Sequence, residues 1–167
     1  MTEAISDTGP LLHLREIGRL DALGVFDRLL VPGSVADELH TYGLKLDEAV
    51  PGVSVALVPV SEEQRNQALA ENNGAPVHPA DAEVFVLARE DGFLRTVLTD
   101  DLALRRLLEA YGATVTGSVG VLVRAFKLGR LNRHDLDSAI DALFDASTLH
   151  LSQAFRAYVR QMLADLP

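Results

Sequence analysis

Apolar positions along the chain fall into short dense runs, divided by turn residues, that switch between strand and helix spacing. The first run, Ala4-Ile5, ends at Ser6-Asp7, breaks at Gly9-Pro10 and resumes with helical spacing. This predicts a buried strand ending at Asp7, then a turn, then a helix. Leu11, Leu12, Ile17, Leu20 and Leu23 supply the apolar side of one or two short helical pieces, with Gly18 weakening the middle. Arg28-Leu29-Leu30-Val31 reads as a second strand, stopped by Pro32-Gly33. Ser34 then looks like an N-cap, with Asp37 three residues on as a capping-box variant, and that helix ends near Gly43.

The pattern is weaker from Leu44 to Gly74, where Val53–Val58 predicts a strand and Ser61-Glu62-Glu63 caps a helix reaching about Ala70. Pro79–Glu90 is the clearest helix, with Pro79 suited to its first position and Gly92 to its stop. Arg95–Thr99 is a buried strand running into Asp100-Asp101. Leu102–Tyr111 is a helix with Leu104, Leu107, Leu108 and Tyr111 inward, and Ala113–Thr116 is a last strand. A helix over Gly117–Leu128 and two amphipathic segments, near Arg133–Phe144 and Leu151–Leu166, follow. This alternation predicts a three-layer α/β/α domain with a mainly parallel sheet.

In such sheets ligands bind beyond the carboxyl ends of the strands, so acids at strand ends are candidates for a site. Asp7 follows the first strand and Asp100-Asp101 a later one; Glu38 and Asp81 lie in helices. Helix phase, at about 100° per residue, puts Asp81 on the face of Val84, Phe85 and Ala88 and turns Glu83 roughly 200° away, toward water. By the same reasoning Glu38 shares a side with Val35 and Leu39, and Asp101 the side of Leu104 and Leu108. Each has a plain alternative: Asp7 and Asp101 as helix caps, Asp81 as a first-turn acid favoured by the helix dipole, Glu38 as a surface acid. Taken together, carboxylates clustered at a core edge repel one another, and a hard divalent cation removes that cost. Mg2+ and Mn2+ take oxygen ligands and share coordination with phosphates.

Composition narrows the chemistry. The chain has 167 residues and no cysteine, which excludes disulfides and thiolate metal sites. His13, His40, His78, His134 and His150 show no metal-ligand spacing. There is no Gly-x-Ser-x-Gly elbow, and Gly117-Ser118-Val119-Gly120 fits neither the P-loop nor the dinucleotide pattern. No apolar run reaches the length of a membrane span, and the acidic start lacks a signal-peptide design, so a cytoplasmic protein is expected. A net charge of −9 argues against wide, non-specific nucleic-acid binding, yet eight of the fifteen basic residues lie between Arg89 and Arg133 against five acids.

Ile5-Ser6-Asp7-Thr8-Gly9-Pro10-Leu11-Leu12, Val31-Pro32 through Asp37-Glu38-Leu39, Ala80-Asp81-Ala82-Glu83 leading into Leu87-Ala88, and Leu98-Thr99-Asp100-Asp101 followed by Arg105-Arg106 resemble, in order and spacing, the PIN domain. The resemblance covers residues 1–130 and extends to the prokaryotic VapC-like group with its Asp-Thr-Gly-Pro-Leu variant; residues 131–167 form a C-terminal helical extension that its motifs do not explain. It implies a Rossmann-like fold and an Mg2+- or Mn2+-dependent ribonuclease acting on single-stranded RNA and leaving 5′-phosphate and 3′-hydroxyl ends. Family members often form homodimers, and many are toxins paired with an antitoxin protein. The acidic family positions carry over to Asp7, Glu38, Asp81 and Asp101, as metal ligands and catalytic residues, with Asp100 the ambiguous neighbour. Thr8 and Thr99 match polar positions flanking the site, where substrate binds. Arg105, close to the helix phase of Asp101, is the candidate phosphate contact. A non-catalytic interaction module on the same fold is the competing reading. A phosphotransfer-type domain is weaker, for want of a well-placed lysine after the last strand.

Overall fold

The computed structural model describes residues 1–46, 50–75 and 78–167. Its strands are β1 (Glu3–Ser6), β2 (Arg28–Pro32), β3 (Ser54–Val58), β4 (Thr96–Leu98) and β5 (Val115–Thr116). Its helices are α1 (Thr8–Glu16), α2 (Gly33–Thr41), α3 (Glu62–Glu71), α4 (Pro79–Glu90), α5 (Leu102–Ala110), α6 (Ser118–Lys127), α7 (Arg133–Asp145) and α8 (Gln153–Ala164), with a 3-10 turn at Leu20–Val25. The strands form one parallel five-stranded sheet in the order β3-β2-β1-β4-β5. Helices flank it in the expected three-layer α/β/α arrangement. Ala4 and Ile5, which alternate between the two faces of β1, are both 0% exposed, so both faces are covered.

The order of the strands sets where a site can form. From β1 the chain winds outward through β2 to β3, then crosses back to β4 on the other side of β1. The sheet therefore reverses direction between β1 and β4, and a crevice opens beyond their carboxyl ends. Ser6 pairs with Leu98 in register, and the Asp7 N–H donates to Leu98 O at 2.9 Å.

Three local expectations are corrected. No separate turn intervenes after β1: α1 starts at Thr8, with Gly9 and Pro10 in its first turn, where proline's missing N–H leaves no helical bond unmade. Ser34 is not an N-cap: α2 starts at Gly33 after Pro32, and Ser34 lies inside its first turn. Glu83 does not face water: it is 2% exposed, because α4 is buried on almost all sides and α3 covers the flank that a surface helix would leave wet. The capping reading succeeds at Ser61, where a complete capping box with Gln64 opens α3.

At the C-terminus, α7 packs on α6, and α8 is tied to α7 by polar bonds. Arg133 donates to the Leu163 carbonyl at 2.6 Å, Arg156 donates to the Phe144 carbonyl at 2.9 Å, and the Arg160 guanidinium stacks on the Phe144 ring. No helix among the described residues is long and apolar enough to cross a membrane.

Candidate active site

Asp7, Glu38, Asp81 and Asp101 line one cleft of about 600 Å³, together with Thr8 and His78. Each carboxylate comes from a different element. Asp7 stands between β1 and α1, Glu38 is on α2, Asp81 is in the first turn of α4, and Asp101 precedes α5. The cleft thus occupies the crevice at the β1–β4 reversal.

Asp7 and Asp101 cap helices as well as lining the cleft. Asp7 Oδ1 accepts from the Thr8 N–H at 2.7 Å, and Asp101 Oδ1 accepts from the Leu104 N–H at 2.7 Å, so both acids cap the helices they precede. Two threonines tie the carboxylates together. Thr99 Oγ1 donates to Asp7 Oδ2 at 2.7 Å and accepts from the Asp101 N–H at 3.1 Å. Thr8 Oγ1 donates to the Glu38 carboxylate. Thr99 is 0% exposed, so its hydroxyl orients carboxylates and is out of reach of a substrate.

Electrostatics follow from burial first and from this crowding second. Burial pushes the Asp7 carboxyl above its ordinary value; the bonds from Thr99 and Thr8 oppose the rise, and repulsion from Glu38 and Asp101 adds to it. The Asp81 carboxyl is raised to about 6, first by burial, then by the charges of Asp7 and Asp101, with His78 opposing and Glu38 adding. His78 Nε2 lies 3.2 Å from Glu38 Oε1 on the exposed rim. Helix phase alone did not single out His78. Its signal is positional: it stands at the N-cap of α4, one turn before Asp81.

Asp100 and Arg105 are placed elsewhere. Asp100 Oδ2 accepts from His13 Nδ1 at 2.7 Å and from Ser118 Oγ at 2.6 Å, while its Oδ1 accepts from the Ser118 N–H at 2.7 Å. It joins α1 to the start of α6. Arg105 donates to the Val115 carbonyl at 3.1 Å and lines a separate, mostly apolar groove of about 610 Å³ between α5, β5, α6 and α8.

The donor set suits a hard divalent cation: it is dominated by carboxylate oxygens, and burial together with mutual repulsion raises the proton affinity of two of them. The side chains share the cleft without closing into a cage. Among the described residues, no three His, Asp or Glu groups stand close enough to enclose an ion by themselves. Water and substrate oxygens would complete such a coordination shell, as Mg2+ sites commonly require.

The family model for a PIN domain (DUF3368) matches residues 3–165, and the chain belongs to that family, whose fold is a nuclease fold. The match runs through α7 and α8. No curated protein matches the chain.

Proposed function

We propose that the cleft is the active site of a divalent-cation-dependent endoribonuclease that hydrolyses phosphodiester bonds of single-stranded RNA. Asp7, Glu38, Asp81 and Asp101 would hold Mg2+ or Mn2+. The observation that carries this reading is the convergence of four carboxylates, from four elements, at the reversal of the sheet. When bound, the cation polarises the phosphate and lowers the pKa of an attacking water.

The chain's own residues supply position. Thr99 orients Asp7 and Asp101, and Thr8 orients Glu38 against the end of β1. Bound cations also offset the carboxylate charge that would otherwise repel an RNA backbone from a chain of net charge −9.

Residues 1–130 carry the nuclease in this reading, and residues 131–167 brace it from the side of α6. The Asp7-Thr8-Gly9-Pro10-Leu11 segment supports placement in the VapC-like branch; an antitoxin partner, a homodimeric state and a cytoplasmic location go with that reading. Cation-dependent cleavage of RNA by the purified chain, lost on Asp7→Asn, tests the enzymatic reading.

A further inference from the structure

Glu83 is a buried carboxylate outside the cleft with a full set of partners. Its Oε2 accepts from the Ser34 N–H at 2.7 Å, and its Oε1 accepts from Ser34 Oγ at 2.8 Å and from Arg65 Nη1 at 2.9 Å. The three bonds join three helices: α4, which carries Glu83; α2, which carries Ser34; and α3, which carries Arg65.

Two spacings connect this joint to the cleft. Glu83 lies two residues after Asp81, on the other side of α4, so one helix presents one carboxylate to the cleft and another to its neighbours. Ser34 lies four residues before Glu38, one turn up the same ridge of α2. Glu83 also satisfies a first-turn N–H of α2, a donor that no side chain of the N-cap residue, Pro32, can reach. A buried ion pair is often replaceable by apolar residues without loss of stability. What apolar packing cannot reproduce here is the directional grip on Ser34, which fixes both the rotation and the axial position of α2.

We infer that Glu83 is a positioning residue that holds α2, and with it Glu38, in register with Asp81 on α4. The inference rests on the cation-site reading of the cleft, and it names the device that keeps two of its carboxylates aligned.

The test measures Mn2+ affinity by titration calorimetry, using the full chain and the metal alone, beside RNA cleavage and urea denaturation. Glu83→Ala should weaken Mn2+ binding about tenfold, the scale of losses when groups orienting a metal ligand are removed. In a Glu38→Ala background the same change should alter Mn2+ affinity by less than about twofold, since the two act as a unit. In an Asp101→Asn background the loss should persist. Ser34→Ala, which removes one bond and leaves the core filled, should reproduce the effect in smaller form should Glu83→Ala not fold. Cleavage should show a lower kcat with little change in KM for RNA.

Unchanged Mn2+ affinity in both Glu83→Ala and Ser34→Ala, or an equal loss with and without Glu38, would overturn the inference while leaving wild-type cleavage intact. Wild-type chain that binds Mn2+ but cleaves no RNA would remove the nuclease and leave this coupling measurable. Wild-type chain that does not bind Mn2+ would overturn both.

Discussion

Asp100 and Asp101 are adjacent in the chain and serve different parts of the molecule. Asp101 caps α5 and lines the carboxylate cleft, whereas Asp100 clamps His13 on α1 to Ser118 at the start of α6. Asp101→Asn should therefore abolish cleavage with little change in stability, because asparagine is also a good N-cap. Asp100→Asn replaces one acceptor oxygen with a donor and should cost about 1–3 kcal/mol in urea denaturation, with the smaller loss of cleavage. Stability loss confined to the Asp101 variant would reverse these roles. Gly117 belongs to the same clamp: a Cβ there would lie 2.7 Å from Asp100 Oδ1, so Gly117→Ala should destabilise the chain as Asp100→Asn does.

Asp81 makes stability depend on pH in the metal-free protein. Its carboxyl rises from 3.8 to about 6 on folding, so between these values the native state holds more protons than the unfolded chain. Stability must then fall as pH rises through that window and stay low above it. Asp7, shifted in the same direction, adds to the slope. Asp81→Asn should flatten the profile and stabilise the apo protein near pH 7 by about 1–2 kcal/mol, the shift being discounted for partial exposure. Urea melts at pH 4–8 in chelator would show it. A large loss of apo stability in that variant would make Asp81 a structural residue.

Thr99 gives a cleaner separation of hydroxyl from shape. Thr99→Val keeps the volume but removes the donor to Asp7 and the acceptor for the Asp101 N–H, and should cost about 1–3 kcal/mol. Thr99→Ser retains both bonds and should keep most of the cleavage activity that Thr99→Val loses. Equal activity in the two variants would show that the hydroxyl does not orient the carboxylates.

The sheet, the helices and the location of the crevice were legible because apolar spacing records which faces are covered. Asp7 was readable from its strand end, and Asp101 from its phase with Leu104 and Leu108. Phase misplaced Glu83 because an amphipathic pattern presumes one wet side, and α4 has almost none; the covering helix α3 and its Arg65 are distant in sequence. Ser34 misled for a related reason. A serine in the first turn resembles a local cap until a carboxylate from another helix takes its N–H. Phase placed Arg105 close to Asp101 and so near the site, but its long side chain ends at the Val115 carbonyl, a destination that periodicity does not encode.

Cleavage of single-stranded RNA by the purified full chain, assayed with Mg2+, with Mn2+ and with chelator, tests the central claim most directly. The account predicts cleavage that requires either cation, stops with chelator, and is lost in Asp7→Asn while that variant still unfolds cooperatively. Cleavage that survives chelation or the loss of the Asp7 charge, or no cleavage with either cation, would contradict it.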